Sequence, residues 1–250
     1  MPDRKLDRPE RLLPQLGVAS RREVARWVDA GRLAVGGRVL KGGERISPDM
    51  PLALDGKRLH LPRERAQRRV LVYHKPVGEV VTRHDPEGRS TVFAALPRLR
   101  GGRWVVVGRL DIATAGLLLF TTDGDLAARL MHPRHELERR YLARVHGELD
   151  GAMRKRLLDG VELEDGPARF LDCRPCGSSS GRNHWFEVAL AEGRNREVRR
   201  LFEAVGLEVS RLKRIGFGPQ TLPRDLRRGC WRELDEAAVV ALDAVTGEHR

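Results

Sequence analysis

The chain has 250 residues, 40% hydrophobic, 5% aromatic and 33% charged, with a formal net charge of +12. That length admits one large domain, or a medium one with a small companion, able to bury a core without disulfides or metal. No apolar run approaches the roughly 18 residues of a membrane span, and MPDRKLDRPERLL lacks the apolar centre of a signal peptide, so a cytoplasmic protein with a polyanionic partner, most often nucleic acid, is expected.

The cysteines, Cys173, Cys176 and Cys230, are too few and odd in number for a secreted disulfide scaffold. Cys173 and Cys176 form a lone CxxC. His184 would supply a third zinc ligand but no fourth is evident, so the thiols read as reduced bystanders and no metal is expected.

In chain order, residues 1–7 read as a polar tail and a small unit runs from 8 to 62. Residues 9–16, with Leu12, Leu13 and Leu16, predict a short helix ended by Gly17. Ser20 and Glu23, three apart, predict a capping box at the start of a second helix. That helix would bury Val24, Trp27 and Val28 and stop at Gly31. LAVGGRVL predicts a hairpin turning at Gly36-Gly37. Residues 8–69 hold 15 Lys or Arg against 7 Asp or Glu, so 15 − 7 leaves +8 in a quarter of the chain. Arg21, Arg22, Arg26, Arg32, Arg38 and Lys41 cluster on the second helix and hairpin, a composition suited to phosphates. RERAQRR at 63–69 reads as a basic linker.

A larger unit follows over 70–250. Strand-like apolar runs recur at 70–73, 104–107, 117–121, 141–145, 168–173 and 184–191. Helical stretches fall at 125–131, 150–158, 195–205 and 235–245. The mixture lacks regular strand–helix alternation, so an α+β fold on a largely antiparallel sheet is predicted. No glycine-rich dinucleotide or phosphate loop occurs, so no nucleotide cofactor is indicated.

Two stretches concentrate the chemistry. WVVVGRLDIATAGLLLFTTDG at 104–124 places Asp111, with Arg109 two residues before it, between two apolar strands. A carboxylate there is costly unless paired. It fits a catalytic group and a structural ion pair equally well on spacing alone. EGRNREVRR at 192–200 leads into a helix with Val198, Leu201, Phe202 and Val205 on one face. Arg199 and Arg200 cannot both face the core, so one could turn towards Asp111 and the other to phosphate; a solvated helix face is the plainer description.

GRLDIATAGLLLFTTDG is similar to the signature of the ribosomal RNA pseudouridine synthases of the small-subunit-A type. YHKPVG at 73–78 resembles that family's first motif, and RRYLARVHG at 139–147 its tyrosine-bearing segment. EGRNREVRRLFEAVGLEVSRLKRIGFG resembles its third motif. Residues 12–46 look like the small RNA-binding module first seen in ribosomal small-subunit protein four, although VGG at 35–37 stands where Asn is commoner in the middle. The resemblance implies an S-four-like module at 8–62, a basic linker at 63–69 and a catalytic α+β domain at 70–250 with a mixed, mainly antiparallel sheet. It also implies a reaction that detaches uracil from ribose, rotates it and rejoins it through carbon 5, without a cofactor. Asp111 would carry catalysis, Tyr141 would stack on the flipped uracil, and Arg199 would pair with Asp111. Leu212 would cap the pocket, while Arg109, Lys75, Arg194 and Arg200 would contact substrate. GEVVTRHDPEGRSTVF at 78–93 and LPRDLRRGCWREL at 222–234 resemble the branch acting on large-subunit ribosomal RNA. They imply a monomer acting on that RNA or its assembly precursor, at position 2605 of 23S ribosomal RNA. The alternatives are a synthase of the same family acting on another ribosomal or transfer RNA uridine and, from another class, a non-catalytic ribosome-assembly factor using the basic module alone; Asp111, Tyr141 and Arg199 argue against the latter.

Overall fold

The computed structural model describes residues 6–61, 68–99 and 102–247, leaving aside the side chains of 178–180. Residues 63–67 of the expected linker lie outside the described residues.

The chain opens with α1 (Pro9–Gln15) and α2 (Arg21–Asp29), then β1 (Leu33–Val35), β2 (Arg38–Val39), β3 (Leu52–Leu54) and β4 (Lys57–Arg58). Proline at the first position of α1 has no N–H to leave unbonded. The Ser20 hydroxyl accepts from Glu23 N at 3.1 Å while the Glu23 carboxylate accepts from Ser20 N at 3.5 Å, which is the expected capping box. Leu12, Leu13, Val24, Trp27 and Val28 pack with Leu33, Ile46 and Leu52 into one core. The four strands form a sheet in the order β2-β1-β3-β4. Gly36 and Gly37 turn the first hairpin with φ of 57° and 86°. Asp55 and Gly56 turn the second with φ of 51° and 75°. Both match the left-handed requirement of tight hairpin turns. The second hairpin was not among the expected elements, although Asp55-Gly56 carries its signal.

The rest of the chain supplies β5 (Val70–Lys75), β6 (Val105–Val107), β7 (Thr114–Thr121), α3 (Gly124–Met131), β8 (Arg139–His146) and α4 (Gly151–Asp159). It continues with β9 (Val161–Leu163), β10 (Gly166–Ala168), β11 (Asp172–Ser180), β12 (Asn183–Leu190) and α5 (Glu197–Glu203). It ends with β13 (Glu208–Phe217), β14 (Gln220–Thr221), β15 (Trp231–Glu233) and α6 (Glu236–Ala244). The fold is α+β, with the sheet ordered β11-β12-β8-β13-β7-β5-β15 and β14 and β6 beside β13 and β7. β13 runs parallel to β7 and antiparallel to β8, so the sheet is mixed and mainly antiparallel. Every residue of β5 and β7 is buried, as their apolar runs require.

Two expectations are corrected. The strand read at 168–173 is the end of β10, a gap, and the start of β11. The central strand β13 was not foreseen, because shifts of register at Val209/Arg211 and Arg214/Gly216 break its two-residue alternation.

The chain divides into two compact units. One comprises Met1–Arg69 with Pro97–Val105 and Thr121–Gly124; the other holds the remainder. Within the first, any Cβ at Gly17 would lie 2.2 Å from Gly102 N, so the segment around Gly102 packs directly on the α1–α2 turn. Trp104 donates to Pro97 O at 2.8 Å, and the Arg69 guanidinium lies 5.3 Å from its ring.

Candidate active site

Asp111 lies in the loop joining β6 to β7, and four consecutive carbonyls of that loop are occupied. Lys75 Nζ donates to Asp111 O at 3.1 Å and Thr114 O at 2.9 Å. Thr114 N also donates to Asp111 O, at 3.2 Å, and Gly78 N donates to Ile112 O at 2.8 Å. Arg199 Nη2 donates to Ala113 O at 3.4 Å. A backbone tied at each step holds the Asp111 carboxylate in one place, as preorganised chemistry requires.

The carboxylate itself is left unsatisfied. Asp111 Oδ1 is buried without a hydrogen-bond partner, and so are Thr114 Oγ1 and Arg199 Nε. Buried polar atoms rarely go unbonded in native folds. Three such atoms lie on or beside this one loop.

Strand register brings the other expected residues to the same place. Leu212 on β13 is level with Thr114 on β7 and with Ala143 on β8. Tyr141 is opposite Arg214 on β13 and Val188 on β12. Directly opposed residues share a face, so Tyr141, Leu212 and Thr114 line one face at the Asp111 end of the sheet. Phe186, opposite Ala143, lies 6.1 Å from Phe202 of α5, which makes it the face that α5 covers. Gly116 in β7 is level with Arg214; a Cβ there would lie 2.1 Å from Arg214 O, and its φ is +114°. Only glycine allows the two strands to approach so closely.

Arg199 does not pair with Asp111. Its Nη1 donates to Val209 O at 2.6 Å and its Nη2 to Ala113 O, so it braces the loop by its backbone. The charged alternation of the third motif gives no sign that a guanidinium will prefer carbonyls. Lys75 likewise cannot contact substrate: it is 0% exposed, and its third bond goes to Pro76 O at 3.0 Å. Burial pushes its ammonium down to about 8, with the nearby charges of Asp111 and Glu79 opposing the fall. Arg200 makes a two-pronged bond with Asp165, at 2.7 and 3.0 Å. Arg194 bonds Glu192 at 2.6 Å and Gly166 O at 3.2 Å. Both therefore tie the β9–β10 turn to α5. Arg109 is exposed at the mouth of the loop, with Ile112 and Val77 exposed nearby.

Arg214 escaped the sequence reading. It is 3% exposed, donates through Nε to Leu117 O at 2.8 Å and stands 5.2 Å from the Phe217 ring. It stitches β13 to β7 beside Tyr141, and only its place within a central strand would have disclosed it. Cys173 and Cys176 are free thiols on β11, and no cluster of three metal-ligating side chains occurs among the described residues.

In the first unit, Arg32 pairs with Asp55 at 2.9 and 2.5 Å and Arg38 with Glu44 at 2.9 and 2.6 Å. The Arg38 partnership pulls the Glu44 carboxyl down to about 2. Arg21, Arg22 and Arg26 on α2 and Lys41 after β2 are exposed. Arg38 and Arg45 line an open groove of about 600 Å³ beside the Gly36-Gly37 turn.

Residues 69–204 match the profile of the RNA pseudouridylate synthase family. Ribosomal large subunit pseudouridine synthase B of Pseudomonas aeruginosa is 53% identical over 242 residues, covering 95% of this chain and 62% of the relative. The protein of the same name from Escherichia coli is 53% identical over 232 residues, covering 91% of this chain and 79% of the relative. The chain thus spans less than two thirds of the first relative's length. A crystal structure of a pseudouridylate synthase superposes with a TM-score of 0.65 at 23% identity, covering 94% of this chain and 99% of that one, which shows a shared fold.

Proposed function

Since the chain belongs to the RNA pseudouridylate synthase family, we propose that it isomerises uridine to pseudouridine in large-subunit ribosomal RNA, with Asp111 as its catalytic carboxylate. The observation carrying this reading is the unsatisfied, buried Asp111 Oδ1 on a loop whose four carbonyls are all bonded. A flipped nucleotide brings hydroxyl and imide donors to such a carboxylate. Asp111 acts by attacking the sugar, attacking the base, or removing the ribose 2-proton; each requires its charge and its fixed position. Tyr141 offers a ring for the uracil to stack against, and Leu212 closes the apolar side of the pocket. Arg199 and Lys75 act through the loop backbone as positioning residues. The reaction needs no cofactor, since bonds broken and formed balance within one nucleotide.

The first unit is an S-four-like RNA-binding module, for which Arg21, Arg22, Arg26 and Lys41 supply exposed charge. It grips a duplex by its phosphates, while the catalytic unit takes a base from an adjoining loop or junction. Extrusion of that base costs a few kcal/mol, least where the base is already unpaired. The finer reading is one uridine near the peptidyl-transferase centre, position 2605 of 23S ribosomal RNA, modified in the cytoplasm by a monomer. The 53% identity to two proteins named as large-subunit synthases supports the choice of subunit.

The test is Asp111→Asn, which removes the charge at nearly constant size. Tritium release from RNA labelled at uracil carbon 5 should vanish while filter binding of the same RNA persists. Release at the wild-type rate refutes the assignment. Mapping pseudouridines in both ribosomal subunits from cells with and without the gene decides the target.

A further inference from the structure

The strands that carry Tyr141 and Leu212 have a second face, and the proposed reaction gives it no role. Arg144 on β8 is opposite Arg211 on β13 and opposite Trp185 on β12, and Trp185 is opposite Cys176 on β11. Direct opposition sets these four side chains in a row on the face turned away from α5. The row crosses the sheet one residue from Ala143 and Leu212, so it lies at the Asp111 end.

Two other arginines on this face have carboxylate partners. Arg140 bonds Glu138 and stands 3.9 Å from Glu187. Arg174 is 2.6 Å from Asp172 and 3.6 Å from Glu187. Arg144 and Arg211 have no carboxylate within ion-pair distance among the described residues, although they face each other. Like charges directly opposed across antiparallel strands are destabilising, and an anion between them removes that cost. Next to them in the row stands Trp185, half-buried and level with Arg144. An aromatic wall next to paired cations is how sequence-tolerant single-strand sites are built.

We propose that this face is a second RNA site, which holds a single-stranded stretch flanking the modified nucleotide. The strand rounds the Asp111 end of the sheet, lays a phosphate between Arg144 and Arg211, and stacks one base on Trp185. The proposal rests on the reading that the substrate is RNA, and its test is a binding test that needs no turnover.

The probes are an RNA hairpin and the same hairpin with an oligouridine extension of about ten nucleotides, the span of such sites. The wild-type protein should bind the extended RNA roughly tenfold more tightly, as expected for one stacked base and one phosphate contact. Arg144→Gln with Arg211→Gln should erase that advantage and reduce the log–log salt slope for the extended RNA by about 0.7, the single-strand value for one phosphate. Trp185→Ala should weaken the extended RNA about tenfold, and Trp185→Phe should restore most of the loss. Affinity for the bare hairpin should stay constant throughout, which checks folding; the two arginine changes carry the test if Trp185→Ala does not fold. An extension that adds no affinity, or an advantage that survives the double glutamine change, overturns the site. Tritium release from whole large-subunit RNA, run in parallel, tests the isomerase separately. Turnover without an extension advantage refutes only this site, and an advantage without turnover refutes only the isomerase.

Discussion

Lys75 carries a conflict that pH will expose. Its Nζ serves three carbonyls, Pro76 O, Asp111 O and Thr114 O, which takes all three hydrogens of the ammonium form. Burial holds the group at about 8 instead of the ordinary 10.5. Below about 8 it is protonated in both folded and unfolded chains, and above 10.5 in neither. Between those limits the unfolded chain binds the proton and the folded chain does not, so this group makes stability rise with pH there. Catalysis should move the other way. The neutral amine has two hydrogens for three carbonyls, so the Asp111 loop loses a tie and kcat should fall as pH rises through about 8. A pH–rate profile beside unfolding midpoints over the same range checks both signs. A kcat that is flat to pH 10 on the folded protein refutes the positioning role. Lys75→Met should cost about 1–3 kcal/mol through its orphaned carbonyls and remove most turnover.

Asp111 stands out in the sequence as a carboxylate between two apolar runs, whereas Tyr141 and Leu212 enter only through the family resemblance. Lys75, Arg199 and Arg200 were read as contacts or partners and turn out to hold backbone carbonyls or Asp165. Which acceptor a long basic side chain reaches depends on what folds beside it, and spacing along the chain does not record that.

Among the elements, β7 and β13 fix the site, and their legibility differs for a physical reason. β7 is an unbroken apolar run buried along its length, so its sequence announces it. β13 lies next to it, but register shifts at Val209/Arg211 and Arg214/Gly216 break its alternation on either side of a regular stretch whose buried positions include Arg214. The parallel contact of the two strands depends on Gly116. Any side chain there meets Arg214 O at 2.1 Å and must also adopt φ near +114°. Gly116→Ala should therefore destabilise the protein by about 3 kcal/mol or more, combining backbone strain with overpacking. Denaturant unfolding is the measurement. An unchanged midpoint at unchanged m-value refutes the claim that this glycine sets the strand approach. Turnover should fall with it even where the variant stays folded, because Leu212 is two residues from the displaced Arg214.

At the scale of the whole molecule, charge and contacts divide the chain differently. Two thirds of the charge excess lies in residues 8–69, whereas the first unit also recruits 97–105 and 121–124 from beyond them. Nothing in the composition of 97–105 signals that Gly17 will close on Gly102 to 2.2 Å from a built Cβ. Deleting residues 1–66 to test the module would thus strip the partner surface from Trp104 and its neighbours as well, and lost activity would have two causes. Neutralising exposed charge avoids this. Arg22, Arg26 and Lys41 are exposed on α2 and just after β2, whereas Arg32 and Arg38 are held by Asp55 and Glu44. The triple change Arg22→Gln, Arg26→Gln, Lys41→Gln should leave the unfolding midpoint within about 0.5 kcal/mol of wild type, as surface changes generally do. If these residues bind phosphates of a duplex, each should remove about 0.9 from the slope of log affinity against log salt. KM for large-subunit RNA should rise about tenfold or more at physiological salt, with kcat unchanged because Asp111 and its loop lie in the other unit. A triple variant with the wild-type salt slope would show that these three side chains make no phosphate contact, and a fall in kcat at constant KM would show that the basic unit takes part in positioning the reacting base.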